Sequence, residues 1–261
     1  MRSVLGVLCI CLGVMSTAYA GVVVHMSSKG SAGSAPKNQQ VVYAQDGLLR
    51  VDKLDDQGRV QNFTLIRDGA IWDVDTQKHS FRKFDKNAVA AQQSEMSDRM
   101  KAMMENMPPE RRAMVEQRMK AMQQETHDYE LTDSGRSEHV GAYSCEIWQA
   151  VRDGKPITEY CVVPKGSLTG GDELVAATHK ASLIAADVAS AAPQMARAIS
   201  PIYKMYGKLD GFPVMTRHLS AGETREETVV TGIEKKALPA DQFAIPKGFT
   251  EVTPGKPDAD N

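Results

Sequence analysis

Sulfur carries most of the chemistry open to this chain. Eight of its 14 methionines lie between Met96 and Met122. Met96, Met100, Met103 and Met107 are spaced four, three and four apart, which sets them on one helical face, and Val115, Met119 and Met122 repeat the spacing beyond Pro108-Pro109. Three chemistries suit such a stripe. Unbranched, polarizable side chains fill irregular helix–sheet interfaces, and the same adaptability can line a cavity for a lipid or other apolar ligand. Thioethers are also soft donors that select Cu(I) over harder ions. No histidine or cysteine is interleaved among these methionines, and the sequence leaves the three readings open.

The other candidate residues point away from catalysis. Histidines stand at positions 25, 79, 127, 139, 179 and 218, no two of them at the i, i+4 spacing of a helical zinc site. No Gly-x-Ser-x-Gly elbow, phosphate loop or Cys-x-x-Cys-His haem site occurs. A non-enzyme without a cofactor is therefore expected. Trp72 and Trp148 each fall in a strand with apolar neighbours, as core residues that could also border a ligand cavity.

The N-terminus reads as an export signal. Met1-Arg2, an apolar run from Val4 to Met15 and Ser16-Thr17-Ala18-Tyr19-Ala20 follow the charged, apolar, small-residue order, with cleavage expected between Ala20 and Gly21. The run falls short of the roughly 20 residues of a membrane span, so the mature chain is expected to be soluble in the periplasm. Cys9 and Cys11 lie inside this segment without the Leu-small-small pattern of a lipoprotein signal. Only Cys145 and Cys161 remain, and an even pair in an oxidising compartment reads as one disulfide. Losing Arg2 and no acidic residue takes the formal charge from −2 to −3. That balance gives no case for nucleic acid or anionic lipid heads.

The elements that must hold these residues alternate in period. Gly21–Met26 reads as a strand followed by a surface loop over 27–38. Five short strands then run to Phe84, separated by the turns Asp46-Gly47, Asp56-Gln57-Gly58, Asp68-Gly69 and Asp75-Thr76, which favour antiparallel neighbours. A helical insertion over 87–124, broken at Pro108-Pro109, carries the methionines on a face expected to lie on the sheet. Strands return at 129–132 and in a hairpin, 142–151 with 156–163. A three-residue loop Arg152-Asp153-Gly154 would place Cys145 directly opposite Cys161. A second helical insertion over 172–207, capped by Asp172 and kinked at Pro193, puts Leu174, Ala177, Ala181, Ile184, Val188, Ala191 and Met195 on one stripe. Strands over 212–219, 224–235, 238–245 and 249–252 follow, then a disordered tail from Pro254. One domain over 21–253 is expected.

Met107-Pro-Pro-Glu-Arg-Arg112, the Gly-Ala-Tyr-Ser-Cys145 hairpin ending at Cys161, Gly211-Phe-Pro-Val214 and Phe243-Ala-Ile-Pro246-Lys-Gly248-Phe249 together resemble an uncharacterised family of bacterial periplasmic proteins. That family is similar in architecture to lipoprotein carriers of the LolA and LppX type. The resemblance implies an α+β fold: a curved antiparallel sheet, an incomplete barrel, covered by amphipathic helices with an apolar cavity between. It implies no known activity. An apolar ligand such as a lipid or lipoprotein acyl chain is the leading expectation, with copper binding through the Met-rich segment or an envelope protein partner as alternatives.

Overall fold

Asp-Gly pairs set the hairpins. Asp46-Gly47, Asp68-Gly69 and Asp153-Gly154 each hold two consecutive positive φ angles (53° and 71°, 50° and 71°, 51° and 71°), the primed turns whose twist matches that of the strands they join. In this computed structural model, which describes residues 20–30, 36–124, 129–192 and 206–252, such turns build one open curved sheet. Its strands are β1 (Ala20–Gly30), β2 (Pro36–Gln45), β3 (Leu48–Leu54), β4 (Val60–Arg67), β5 (Ala70–Asp75), β6 (Ser80–Phe84), β7 (Glu130–Val140), β8 (Tyr143–Arg152), β9 (Lys155–Pro164), β10 (Gly211–Ser220), β11 (Glu223–Ala237) and β12 (Thr250–Glu251). The spatial order is β12-β6-β5-β4-β3-β2-β1-β11-β10-β9-β8-β7. Two antiparallel meanders therefore meet where β1 pairs with β11. The exception to antiparallel pairing is the parallel β12–β6 contact at one edge.

One helix organises the core. Helix α3 (Gly171–Ser190) lies across β1 to β5 and β10. Its Leu174, Ala177, Ala181 and Val188, four of the expected stripe, are at most 2% exposed, while Ile184 and Ala191 are only half-buried and Ala185 takes the inner place beside them. Small alanines let its backbone approach Val22, Val24, Val42, Leu49 and Val214 of the sheet. Phe63, Leu65 and Val74 point to the opposite face, where Phe243, with Leu238, Ile245 and Phe249, covers them. Among the described residues no helix is long and apolar enough to cross a membrane.

Several expectations need correction. The loop placed over 27–38 is mostly strand: β1 runs to Gly30 and keeps pairing with β2 and β11, and buried Ser28 is satisfied by Thr228 Oγ1 at 2.7 Å. The third strand block extends to Val140 through a register shift between Asp133 and Arg136, where Gly135 takes φ 67°. The stretch 238–245 is not a strand. Pro239 lacks an amide donor, and Ala240–Phe243 winds as a 3-10 turn instead. Helix α3 is capped by Gly170 in the left-handed region, with Asp172 in the first turn, because Gly171 sits so close to the Lys165 carbonyl that a Cβ would meet it at 2.0 Å. The expected kink at Pro193, the placement of Met195, the signal segment before Ala20 and the tail from Pro254 lie outside the described residues.

The disulfide joins Cys145 to Cys161, Cα–Cα 5.3 Å. Its register differs from expectation: Arg152 pairs with Lys155, a shift falls between Ala150 and Val151, and Cys161 faces Ile147. A two-residue turn followed by a bulge has replaced the three-residue loop, so the bridge links strand positions two residues out of direct opposition.

Candidate functional site

The Met-rich segment is two helices, α1 (Lys86–Glu105) and α2 (Pro109–Gln124). Asp85 starts α1 by accepting from the Ala88 amide at 2.8 Å, and that bond leads the contacts holding its carboxyl below the usual carboxylate range. Val89, 2% exposed, packs with Val188, Ala192 and Phe84 against the end of α3. Lys86 meets Asp187 at 2.8 Å beside it. These contacts anchor the base of the segment.

Beyond that anchor α1 leaves the protein body. Every side chain from Ser94 to Met103 is exposed. Met96, Met100 and Met103 stand at 52%, 40% and 57% exposure, and Met114 of α2 at 68%. Met104 and Met107, near the junction, are partly covered. The elbow is held by Arg112, whose guanidinium donates to the carbonyls of Met104 (2.9 Å), Glu105 (3.2 Å) and Met107 (3.3 Å), a cation on the negative end of α1. The expectation that the methionine face lies on the sheet is thereby corrected. The face of the sheet that would receive it is already taken by α3, whose stripe is aliphatic where α1 intersperses Glu95, Asp98, Arg99 and Lys101. The space between α3 and the strands, where an apolar cavity was expected, is packed with buried side chains.

Neither tryptophan joins this arm. The side chains of Met119 and Met122 lie outside the described residues. Trp72 of β5 is on the face away from α3, 5.7 Å from Phe81 and flanked by Lys83 and Arg67. Trp148 of β8 packs with Ala150, Tyr160, Val162 and Leu209. Burial pushes the Tyr160 phenol in that cluster up to about 12. Trp72 and Trp148 thus lie apart from the arm that carries Met96, Met100, Met103 and Met107. Open recesses are peripheral: one of about 340 Å³ beside the start of α3, lined by Lys165, Asp172, His179 and Tyr206, and one of about 650 Å³ between the β8–β9 and β10–β11 hairpins.

Sequence reasoning missed an ionic network. Arg217 on β10 grips Glu138 of β7 with two hydrogen bonds (2.8 and 2.6 Å) and Glu227 of β11 with a third (2.7 Å), with Glu159 of β9 at 3.9 Å. Arg136 and Gln149 also donate to Glu159, and Lys29 meets Glu227 at 3.0 Å. Arg217 draws Glu138 below the usual glutamate range. Burial alone would raise Glu227, but the bonds from Arg217 and Lys29 outweigh it and leave it lowered. Three cations balance three carboxylates, so the cluster, with Gln149, ties six strands together and leaves no net charge for a ligand. The only sequence signal was charge on strands with buried neighbours.

Residues 86–249 match the family described as "Domain of unknown function (DUF4412)". No curated protein matches the chain. Solved structures similar to it include an uncharacterized conserved protein from Thermus thermophilus (TM-score 0.44, 11% identity, 90% of each chain) and a LolA superfamily protein from Nitrosomonas europaea (0.26, 9%, 86% of this chain and 89% of that one). PNGF-II is a third (0.43, 9%), of whose length this chain spans 31%.

Proposed function

We propose, from the premise that this chain belongs to the DUF4412 family of unknown function, that it is an exported, non-catalytic binding protein of the periplasm which holds an apolar ligand on its Met-rich arm. The observation carrying this reading is the set of thioethers at 40–68% exposure on helices that stand off the sheet. Large flexible apolar side chains kept in water by a chain that packs its aliphatic residues elsewhere are suited to adaptable binding. A single acyl chain is the simplest ligand that such a row of flexible thioethers could cover. The export signal read over 1–20 supports an envelope location, and the lack of any catalytic motif favours binding as its role.

The test is titration of the protein purified from the periplasm with a fluorescent fatty acid. Covering three half-exposed methionines contributes about 2–4 kcal/mol, half the value for full burial, so the triple variant Met96→Gln/Met100→Gln/Met103→Gln should bind at least tenfold more weakly. Absent binding, or binding indifferent to the variant, would overturn the reading.

A further inference from the structure

We infer that Met96, Met100 and Met103 also form a thioether site for a soft monovalent cation, Cu(I) or Ag(I), centred on Met100. The inference does not rest on the acyl-chain reading. Residues three and four apart on a helix are surface neighbours with Cβ atoms about 5–6 Å apart, and each unbranched methionine can swing its sulfur about two bonds, and its terminal methyl about a third, to turn lone pairs to a common point. At 52%, 40% and 57% exposure these side chains are free to do so. Met215, 1% exposed in the core, shows how a packing methionine is held in this protein.

The surroundings make the donor set purely soft. Of the three carboxylates within two residues of these methionines, Glu95 accepts from Arg99 at 2.6 Å, Asp98 faces Lys101 at 3.9 Å and Glu105 is the exposed last residue of α1. Among the described residues no group of three His, Cys, Asp or Glu side chains stands together to hold a metal ion, so Zn(II) and Mg(II) lack a ligand shell here while a Cu(I)-type ion finds soft donors. The elbow is a poorer place. There the Arg112 guanidinium sits on the Met104 and Met107 carbonyls and would repel a second cation. This selects the outer half of α1 over the denser Met103-Met104-Met107 group.

Thioethers carry no proton to displace. Binding should therefore hold steady between pH 7 and pH 5, where imidazole, thiolate and carboxylate sites weaken because their ligands must first be deprotonated. Calorimetric titration of the periplasmic, disulfide-bonded protein with Ag(I), and anaerobic Cu(I) competition against bicinchoninate, should each give one equivalent bound, with Zn(II) silent. Met100→Leu keeps the apolar surface and removes the donor: it should weaken Ag(I) at least tenfold with helix content unchanged, a loss that a merely apolar contact, which leucine makes as well as methionine, would not show. No saturable Ag(I) binding, an indifferent Met100→Leu, or affinity falling with pH from 7 to 5 would overturn the inference. Loss of fatty-acid binding alone would leave it standing.

Discussion

Alanine replacements divide the helices into core and arm. Leu174 of α3 is fully buried against the sheet, and Leu174→Ala should cost about 2–5 kcal/mol from lost transfer energy and the cavity left behind. Val89, the one buried side chain of α1, loses two carbons on truncation and should cost about 1.5 kcal/mol. The triple variant Met96→Ala/Met100→Ala/Met103→Ala changes exposed positions worth within about 0.5 kcal/mol each, offset by alanine's helix propensity, for a total below about 1 kcal/mol. Urea unfolding monitored by Trp72 and Trp148, one in each meander of the sheet, measures all three on one scale. At about 2–4 °C per kcal/mol for a chain of this size, melting should fall by roughly 4–20 °C for Leu174→Ala and by no more than a few degrees for the triple variant. A triple variant as damaging as Leu174→Ala would mean that the methionines lie on the core in solution, and both binding proposals would fall with the free arm.

Two further outcomes probe the sheet. Cys145→Ala/Cys161→Ala opens a link between positions 16 residues apart and should lower stability by about 3 kcal/mol in the chain-entropy model; equal denaturation midpoints for the oxidised protein and the double variant would refute a structural bridge. Arg217→Met takes from Glu138 both of its hydrogen bonds and from Glu227 one of its two cations, and with the arginine 22% exposed the cost should be about 1–3 kcal/mol near neutrality, below the range for fully buried pairs. Glu138 and Glu227 are held below the usual glutamate value, so their contribution is present above about pH 4.5 and lost as pH falls through their folded values. The gap between wild type and variant should therefore narrow in acid, and a gap that widens would refute the network.

How far the fold could be read from the chain depended on whether the deciding contact was local. Asp-Gly pairs fix hairpins through φ at two adjacent residues, which is why β2 to β6 and the β8–β9 hairpin were visible, while the bulge at Ala150/Val151, set by the whole ladder, was not. The α3 stripe was equally clear, because nine of its residues are buried. Periodicity says which residues share a helical face but not what that face meets. For α1 the outcome was decided elsewhere, by the better apolar match between α3 and the sheet. Arg217 and Glu138 are 79 residues apart, and nothing in either strand singles out the other. Likewise the 238–245 stretch reads as strand by composition, although Pro239 and the outer-face pocket made by Phe63, Leu65 and Val74 turn it into a packed cover.

The place of any apolar ligand follows from what it would have to displace. An acyl chain entering between α3 and the sheet must lift a helix whose Leu174 and Val188 are fully buried, at about 1.5–3 kcal/mol for each side chain, and must also expose the valines beneath it. Against a typical total stability of about 5–15 kcal/mol, such an opening approaches unfolding of the whole sheet, and the ligand would need to repay it before gaining any affinity. The arm needs no such opening. Its thioethers are already solvated, its base is pinned by Val89 and Lys86, and the Arg112 elbow fixes the junction of α1 with α2. Binding there orders only side chains, at about 0.5–1.5 kcal/mol each, so a protein of this construction can take up and release cargo with its disulfide-braced core undisturbed.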